Sequence, residues 1–464
     1  MVPTKSTSPH ATEMRCPRRG GAAGTSGAAS SVSRGGGGGG SDSTVTPPLP
    51  PAPPSPTHPV VWDTALPETV GMDSIKLEEA FEYALQDGSF TQAVVVIKDG
   101  KLVSESYRGI SSNESNSLAE SVSLDATSLN ALYGQRDAES YISSWSTAKS
   151  FTSILIGLAV DAGYISSVED SASTFITEWS NDERSSITIK NLLDMRSGLT
   201  PMCFLFEENK IGECRTAAGA ASGGNIVYSN DQMAACISRG LAADGVTHPW
   251  FSNGNAAYTR GNFLYSNCDT MVLGEIIFRA TGQDIQTYAE YNLFSKIGIS
   301  AEWWRDFTPD GQSNGNYLAY CCLDSTARDF AKFGYMLLLG GVWENDARKI
   351  SSYVESIKNI QSYGLQFWTL CANLNSSPCN DQVISTIGFD GQYIMIDFDR
   401  NLVVVRTSLY QPILNLSSDR KMRLLPTDLS NSNWVATVPS GLGASIGSTF
   451  NASEFLSKVI ASIN

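Results

Sequence analysis

Residues Tyr141 to Ile165 read YISSWSTAKSFTSILIGLAVDAGYI. Ser143, Ser144, Ser146, Thr147 and Lys149 stand ahead of an apolar run that ends near Asp161-Ala162-Gly163. Hydroxyl residues are natural helix N-caps, and the glycine is a natural C-cap. Lys149 does not fit this logic, because the positive end of the helix dipole disfavours a cation in the first turn. Residues three apart on a helix are separated by about 60° around its axis and share a face. Ser146 and Lys149 are therefore expected side by side. A serine hydroxyl is a poor nucleophile until a base takes its proton. Burial and the helix terminus both lower the proton affinity of a lysine, so Lys149 can be that base. Spacing alone is also met by an N-cap serine with a solvated lysine, and Ser418-x-x-Lys421 in the polar run SSDRK has the same spacing with no apolar helix behind it.

A Ser-x-x-Lys pair needs a second acid/base group and an amide to hold its geometry. Tyr-x-Asn supplies a phenol and a carboxamide. Two such triplets occur, Tyr228-Ser-Asn230 and Tyr265-Ser-Asn267. The second opens the amphipathic run DTMVLGEIIFRATGQ (Asp269 to Gln283), which would display its side chains at a rigid helix entrance. Tyr265 and Asn267 are the preferred pair, and Tyr228 is read as part of a surface turn.

Outward from these motifs the chain separates strands from helices. AVVVIKDGKLVSESYRG (Ala93 to Gly109) reads as two strands around the turn pair Asp99-Gly100, and QYIMIDFDRNLVVVRTS (Gln392 to Ser408) as a second hairpin turning at Asp399 to Asn401. Between them lie helical patterns at Ser186 to Leu199, Asp269 to Gln283 and Ser325 to Gly341, and ASEFLSKVIASI closes the chain as a helix. Strands at both ends with helices between predict an α+β fold on a mainly antiparallel sheet, not alternating βαβ units.

The chain has 464 residues, 42% of them hydrophobic, with a formal net charge of −15. Its Lys and Arg are scattered apart from Arg15 to Arg19, so nucleic acid is not an expected partner, since phosphate binding needs clustered cations. No apolar run reaches membrane-spanning length. Residues 1–58 are rich in Gly, Ser, Thr and Pro and cannot bury enough apolar surface to fold. They are expected to be a disordered tail without an ordinary signal peptide, ahead of one domain over residues 59–464. Of nine cysteines, eight lie beyond that tail, with Cys203 near Cys214 and Cys371 near Cys379. With sequons at Asn113, Asn375, Asn415 and Asn451, this favours disulfides and a secreted or other oxidising location over buried thiols in a cytoplasmic protein. The three histidines are His10 and His58 in the tail and His248 in a loop, which disfavours a Ser-His-Asp triad. No His, Cys and Asp spacing suits a metal, and no cofactor is expected.

Taken in order, SWSTAKSFTSILIGLAVDAGYI, ITIKNLLDMRSGL, YSNCDTMVLGEIIFRATGQ, STARDFAKFGYMLL and GFDGQYIMIDFDRNLVVV give the chain a family likeness over roughly residues 60–460. It resembles the serine hydrolases that include class C β-lactamases, penicillin-binding proteins, related carboxylesterases and 6-aminohexanoate-dimer hydrolases. The DMRSGL wording and Trp303-Trp304 look closest to the dimer-hydrolase and esterase branch. The resemblance implies a β-lactamase/transpeptidase-like fold, a sheet flanked by helices plus a helical region, with the catalytic helix start in the cleft between. It implies Ser146 as nucleophile, Lys149 as the partner that lowers its proton affinity, Tyr265 as general base and then acid, and Asn267 as the amide of the motif.

The third motif departs from the family. Lys-Thr-Gly or His-x-Gly is usual on the strand facing the serine, and the matching stretch here is Phe389-Asp390-Gly391 followed by Gln392. Gly391 is expected to permit close backbone approach, and Gln392 N–H to join Ser146 N–H in an oxyanion hole. The same residues are also consistent with a glycine bend leading into a strand. Loss of the cation removes a partner for a substrate carboxylate. The expected reaction is therefore hydrolysis of small neutral esters or amides through a Ser146 acyl-enzyme. The alternatives are a weakly catalytic sensor or scaffold that binds β-lactams or peptides, or a true β-lactamase or D-Ala-D-Ala peptidase using a cation from elsewhere, such as Arg260 or Arg406. The sequence leaves the oligomeric state open.

Overall fold

The structure is a computed structural model. It describes residues 62–119, 125–200, 231–242, 260–306, 315–343, 350–373, 381–409 and 448–464, with positions 202, 226, 229, 379, 422 and 423 between them. The tail through residue 58, Tyr228 and Asn230, Ser418 and Lys421, His248, Cys203 and Cys214 lie outside the described residues.

Seven strands form the main sheet. They are β1 (Thr91–Lys98), β2 (Lys101–Tyr107), β3 (Tyr363–Gly364), β4 (Phe367–Cys371), β5 (Gln382–Gly388), β6 (Gln392–Asp397) and β7 (Leu402–Ser408). The order is β2-β1-β7-β6-β5-β4-β3, and every neighbouring pair is antiparallel. Both expected hairpins are present. Asp99 and Gly100, at φ 50° and 75°, close the first, as an Asp-Gly pair does when both central residues need positive φ. The two ends of the chain meet because β1 pairs with β7, placing Val95 opposite Val405 and Val96 opposite Val404.

Period-two alternation assigns the faces of the sheet. Val94, Val96, Met395, Leu402 and Val404 point to one side, against helices α1 (Ser74–Leu85) and α6 (Ala452–Ala461). Ala93, Val95, Ile97, Val403 and Val405 point to the other, into the larger core with α5 (Ala327–Leu338). All eight residues of β1 are buried, the mark of a strand covered on both faces. Each buried valine contributes about 1.5–3 kcal/mol relative to exposure.

Beyond α5 lies the helical region. Helix α2 (Ala148–Asp161) is buried continuously from Ala148 to Ala159, and its buried Ser150 and Thr152 hydroxyls donate to the carbonyls of Gln366 and Ala319. It packs against α4 (Asn267–Thr281), which also meets α3 (Gln232–Ile237). A three-stranded sheet of Tyr141–Ser143, Leu323–Thr326 and Ala301–Trp303 leads the chain into α2. Trp303 and Trp304 are buried here, Trp303 stacked on Phe294 and Trp304 donating its Nε1–H to Asp324. They are packing residues. The architecture is α+β, as expected. Among the described residues, no helix is long and apolar enough to cross a membrane.

Three disulfides tie the described residues together. Cys371–Cys379 joins a pair close in sequence, Cys236–Cys268 links α3 to α4, and Cys321–Cys322 joins neighbours. The last two pairings were not anticipated from spacing.

Candidate active site

Ser146 precedes the α-helix by one turn. It lies in a 3-10 turn, Trp145–Thr147, and α2 begins at Ala148. The reason is where the neighbouring hydroxyls bond. Ser144 Oγ accepts Leu323 N–H at 3.0 Å, and Ser144 N–H donates to Leu323 O at 2.9 Å. Thr147 Oγ1 donates to Gln392 O at 3.2 Å and lies 3.1 Å from Thr386 Oγ1. The Ser146 turn is thus held by the 320–323 segment on one side and the β5–β6 hairpin on the other. Trp145, immediately before the serine, sits at φ 47°. A bulky residue in this left-handed region is uncommon, and such backbone strain clusters at functional sites.

Lys149 is 1% exposed. Its Nζ lies 2.7 Å from Asn267 Oδ1, 2.7 Å from Tyr320 O and 3.1 Å from Ser146 Oγ. The two closer partners are carbonyl oxygens that only accept, so Nζ must spend N–H bonds on them. The remaining tetrahedral direction faces Ser146. Among the described residues Lys149 has no carboxylate partner, and burial holds its pKa well below the usual lysine range. The rings of Tyr265 and Tyr320 flank Nζ, with centroids at 4.9 and 5.5 Å.

Tyr265 stands next to the N-terminus of α4, with its hydroxyl in reach of the Ser146 side chain. Burial raises its pKa well above the ordinary tyrosine value, and the Ser146 contact offsets this only in part. The Tyr265 ring meets Trp368 at 5.8 Å and Tyr363 at 6.2 Å. The turn that carries it is anchored from behind. Ser266 Oγ accepts Asp269 N–H and the Arg239 guanidinium, and Arg239 pairs with Asp269 at 3.0 Å with both side chains buried. Cys268, next to Asn267, is bonded to Cys236. Ser146, Lys149, Tyr265 and Asn267, from motifs more than 100 residues apart in sequence, are therefore one cluster.

The third motif is placed differently from its reading in the sequence. Gly391 does not make the close approach to the Ser146 turn. A Cβ there would lie 2.4 Å from Arg406 Nη1, and its φ is 91°. The close approach is at Gly388, where a Cβ would fall 2.2 Å from Ser144 O. Register explains the shift, because Gly388 ends β5, opposite Gln392. Gln392 is buried, its side chain bonded to the Ser408 backbone and its carbonyl to Thr147. Phe389 follows Gly388, is 41% exposed and meets the Trp145 ring edge-on at 5.6 Å. Arg406 is buried and committed, donating to Thr91 Oγ1 and to the carbonyls of Ser89, Asp390 and Gly391. Arg260 makes an exposed pair with Glu183.

Sequence reasoning missed Tyr320, Thr147, Thr386 and Gly388. The Thr386-x-Gly388 spacing, three residues ahead of the stretch selected, was the available signal for the last two. Tyr320 contributes a main-chain carbonyl, which no residue type announces. Among the described residues no group of His, Cys, Asp and Glu could hold a metal.

A family model described as Beta-lactamase matches residues 78–412. No curated protein matches the sequence. Among solved structures, a penicillin-binding protein homologue from Caulobacter crescentus superposes with a TM-score of 0.52 at 13% identity, covering 87% of this chain and 100% of its own. A Bacteroides dorei protein described as a β-lactamase gives 0.51 at 15% identity, covering 84% and 99%. A Bacillus anthracis protein described as a 6-aminohexanoate-dimer hydrolase gives 0.50 at 20% identity, covering 76% and 83%. At these identities the likeness is one of fold.

Proposed function

The chain belongs to the β-lactamase family of serine hydrolases, and on that premise we propose that it cleaves small uncharged esters or amides through an acyl-enzyme on Ser146. The observation that carries this reading is the setting of Lys149. Two acceptor-only oxygens take its N–H bonds, and burial favours the neutral amine. A neutral Lys149 turns its lone pair on Ser146. It removes the hydroxyl proton as Oγ attacks the substrate carbonyl. The resemblance alone gave the base role to Tyr265. The electrostatics favour the opposite division, since burial keeps the phenol protonated and ready to donate to the leaving group.

The oxyanion is stabilised by backbone N–H groups at the two ends of the cleft. Ser146 N–H is one. For the second, Phe389 N–H is favoured over Gln392 N–H, because Gly388 is the residue pressed against the nucleophile turn. The acyl-enzyme is tested by mass spectrometry after exposure to a neutral nitrophenyl ester. An adduct on wild type that is missing from Ser146→Ala supports the reading, and an adduct on both sinks it. A product burst followed by slow turnover would place the protein among the weakly catalytic alternatives.

The division of roles fixes a pH dependence. The active form has Lys149 neutral and Tyr265 protonated. Lys149 titrates below its usual range, so kcat/KM should rise with pH through that depressed value. Tyr265 titrates above its usual range, so the plateau should extend past the ordinary tyrosine pKa. An alkaline limb falling at the ordinary tyrosine value, or activity that increases towards acid, would count against the assignment.

Substrate charge follows from the third motif. Where relatives carry Lys or His, an aromatic ring is exposed, and Arg406 is already committed to protein carbonyls. A carboxylate brought into the cleft would be desolvated without a partner, which is costly. A neutral ester should therefore exceed a penicillin-type carboxylate in kcat/KM by at least roughly a hundredfold, about 2.7 kcal/mol. Phe389→Lys should narrow the gap. Equal rates on the two substrates in wild type would overturn the neutral-substrate reading.

A further inference from the structure

Both of the close acceptors of Lys149 belong to residues that immediately precede a disulfide-bonded cysteine. Asn267, whose Oδ1 lies 2.7 Å from Nζ, stands before Cys268, which is bonded to Cys236 of α3. Tyr320, whose carbonyl oxygen also lies 2.7 Å from Nζ, stands before Cys321, which is bonded to Cys322. The second linkage closes a ring that contains the 321–322 peptide itself. Cys322 sits at φ 66°, a conformation rare for a residue with a side chain. Its N–H donates to Trp145 O at 3.1 Å, directly before the nucleophile, and the next residue, Leu323, is bonded to Ser144. The ring thus lies between the carbonyl that holds the base and the amide that holds the nucleophile turn.

We infer that Cys236–Cys268 and Cys321–Cys322 are positioning groups for hydrolysis: they fix the two acceptors that leave the Lys149 lone pair facing Ser146. The inference rests on the roles given to Ser146 and Lys149 above. The physical reason is directional. If either carbonyl moves, Nζ can rotate and spend its lone pair elsewhere, and a displacement of about 1 Å costs on the order of a hundredfold in rate where proton transfer depends on alignment. Both oxygens are taken up by Lys149 Nζ, so the loss is expected in kcat and not in KM.

The test compares kcat and KM for a neutral nitrophenyl ester in wild type, Ser146→Ala and paired cysteine variants, with thermal unfolding of each. C321S/C322S and C236S/C268S are each expected to lose roughly tenfold or more in kcat with KM changed by less than about threefold. C371S/C379S, which opens the disulfide between β4 and the loop before β5, should stay within about twofold of wild type. C321S/C322G should fall between C321S/C322S and wild type, at less than about a third of the wild-type kcat, because glycine accepts φ 66° without holding it. It carries the test for the ring if C321S/C322S does not unfold cooperatively. A wild-type kcat in folded C236S/C268S, in folded C321S/C322S or in C321S/C322G overturns the inference while Ser146-dependent turnover in wild type leaves the proposed function standing. Absence of Ser146-dependent turnover in wild type overturns both.

Discussion

Ser146→Ala is expected to leave less than about a thousandth of the wild-type rate on a neutral nitrophenyl ester, with thermal stability changed by no more than about 1 kcal/mol. The two halves of this expectation have separate causes. Activity falls because the atom that forms the covalent bond in the proposed reaction is gone. Stability is kept because Ser146 supplies only the longest of the three Lys149 contacts, 3.1 Å against 2.7 Å for Asn267 and Tyr320. The bonds that shape the Ser146 turn run through Ser144 and Thr147 instead. Kinetics with the substrate in excess, paired with a melting curve, read both quantities. Residual activity well above a thousandth in a folded variant would mean that another group is the nucleophile.

How far this site could be read in the sequence depended on which part of each residue does the work. Ser146, Lys149, Tyr265 and Asn267 meet through their side chains, so their types and spacing carried the signal. The Asp99-Gly100 turn and the alternating valines of β1 and β7 were legible for the same reason, because turn chemistry and period-two burial are written in residue types. The rest of the site rests on main-chain groups and on hydroxyls whose partners lie far away in the sequence. The Tyr320 carbonyl and the Ser144–Leu323 bonds depend on two segments almost 180 residues apart meeting in one register. Nothing in their composition specifies that meeting.

The glycine of the third motif shows the same limit at shorter range. Gly388 and Gly391 lie three residues apart in one hairpin. Which of them faces the Ser146 turn is decided by where β5 ends, and a small shift in register exchanges them. Choosing Gly391 pointed to Gln392 N–H as the backbone donor, where we propose Phe389 N–H. Cysteine pairing was hidden for a related reason. Cys371 and Cys379 are close in the chain, but Cys236 and Cys268 meet only because α3 packs on α4, and adjacent cysteines such as Cys321 and Cys322 do not ordinarily reach each other.

Tyr265→Phe separates the two possible assignments of acid and base more sharply than any other substitution, because its effect should depend on the leaving group. Burial raises the Tyr265 pKa, so at neutral pH the group beside Ser146 is a phenol with a proton to give. If that proton goes to the departing oxygen or nitrogen, its loss matters only where the leaving group cannot depart as an anion. An alkyl alkoxide or an amine cannot. Nitrophenolate can. Tyr265→Phe should therefore cost on the order of 10²–10⁴ in kcat/KM for a short alkyl ester or an amide. For the nitrophenyl ester of the same acid the loss should be less than about tenfold. Tyr228→Phe should have little effect on either substrate. Were Tyr265 the base that activates Ser146, attack would be slowed alike for both esters, since the nucleophile is common to them. Equal losses would thus return the base role to Tyr265 and leave Lys149 to stabilise its phenolate, which would require a charged lysine. The pH profile would then have to change with it, the acid limb no longer reporting neutralisation of Lys149.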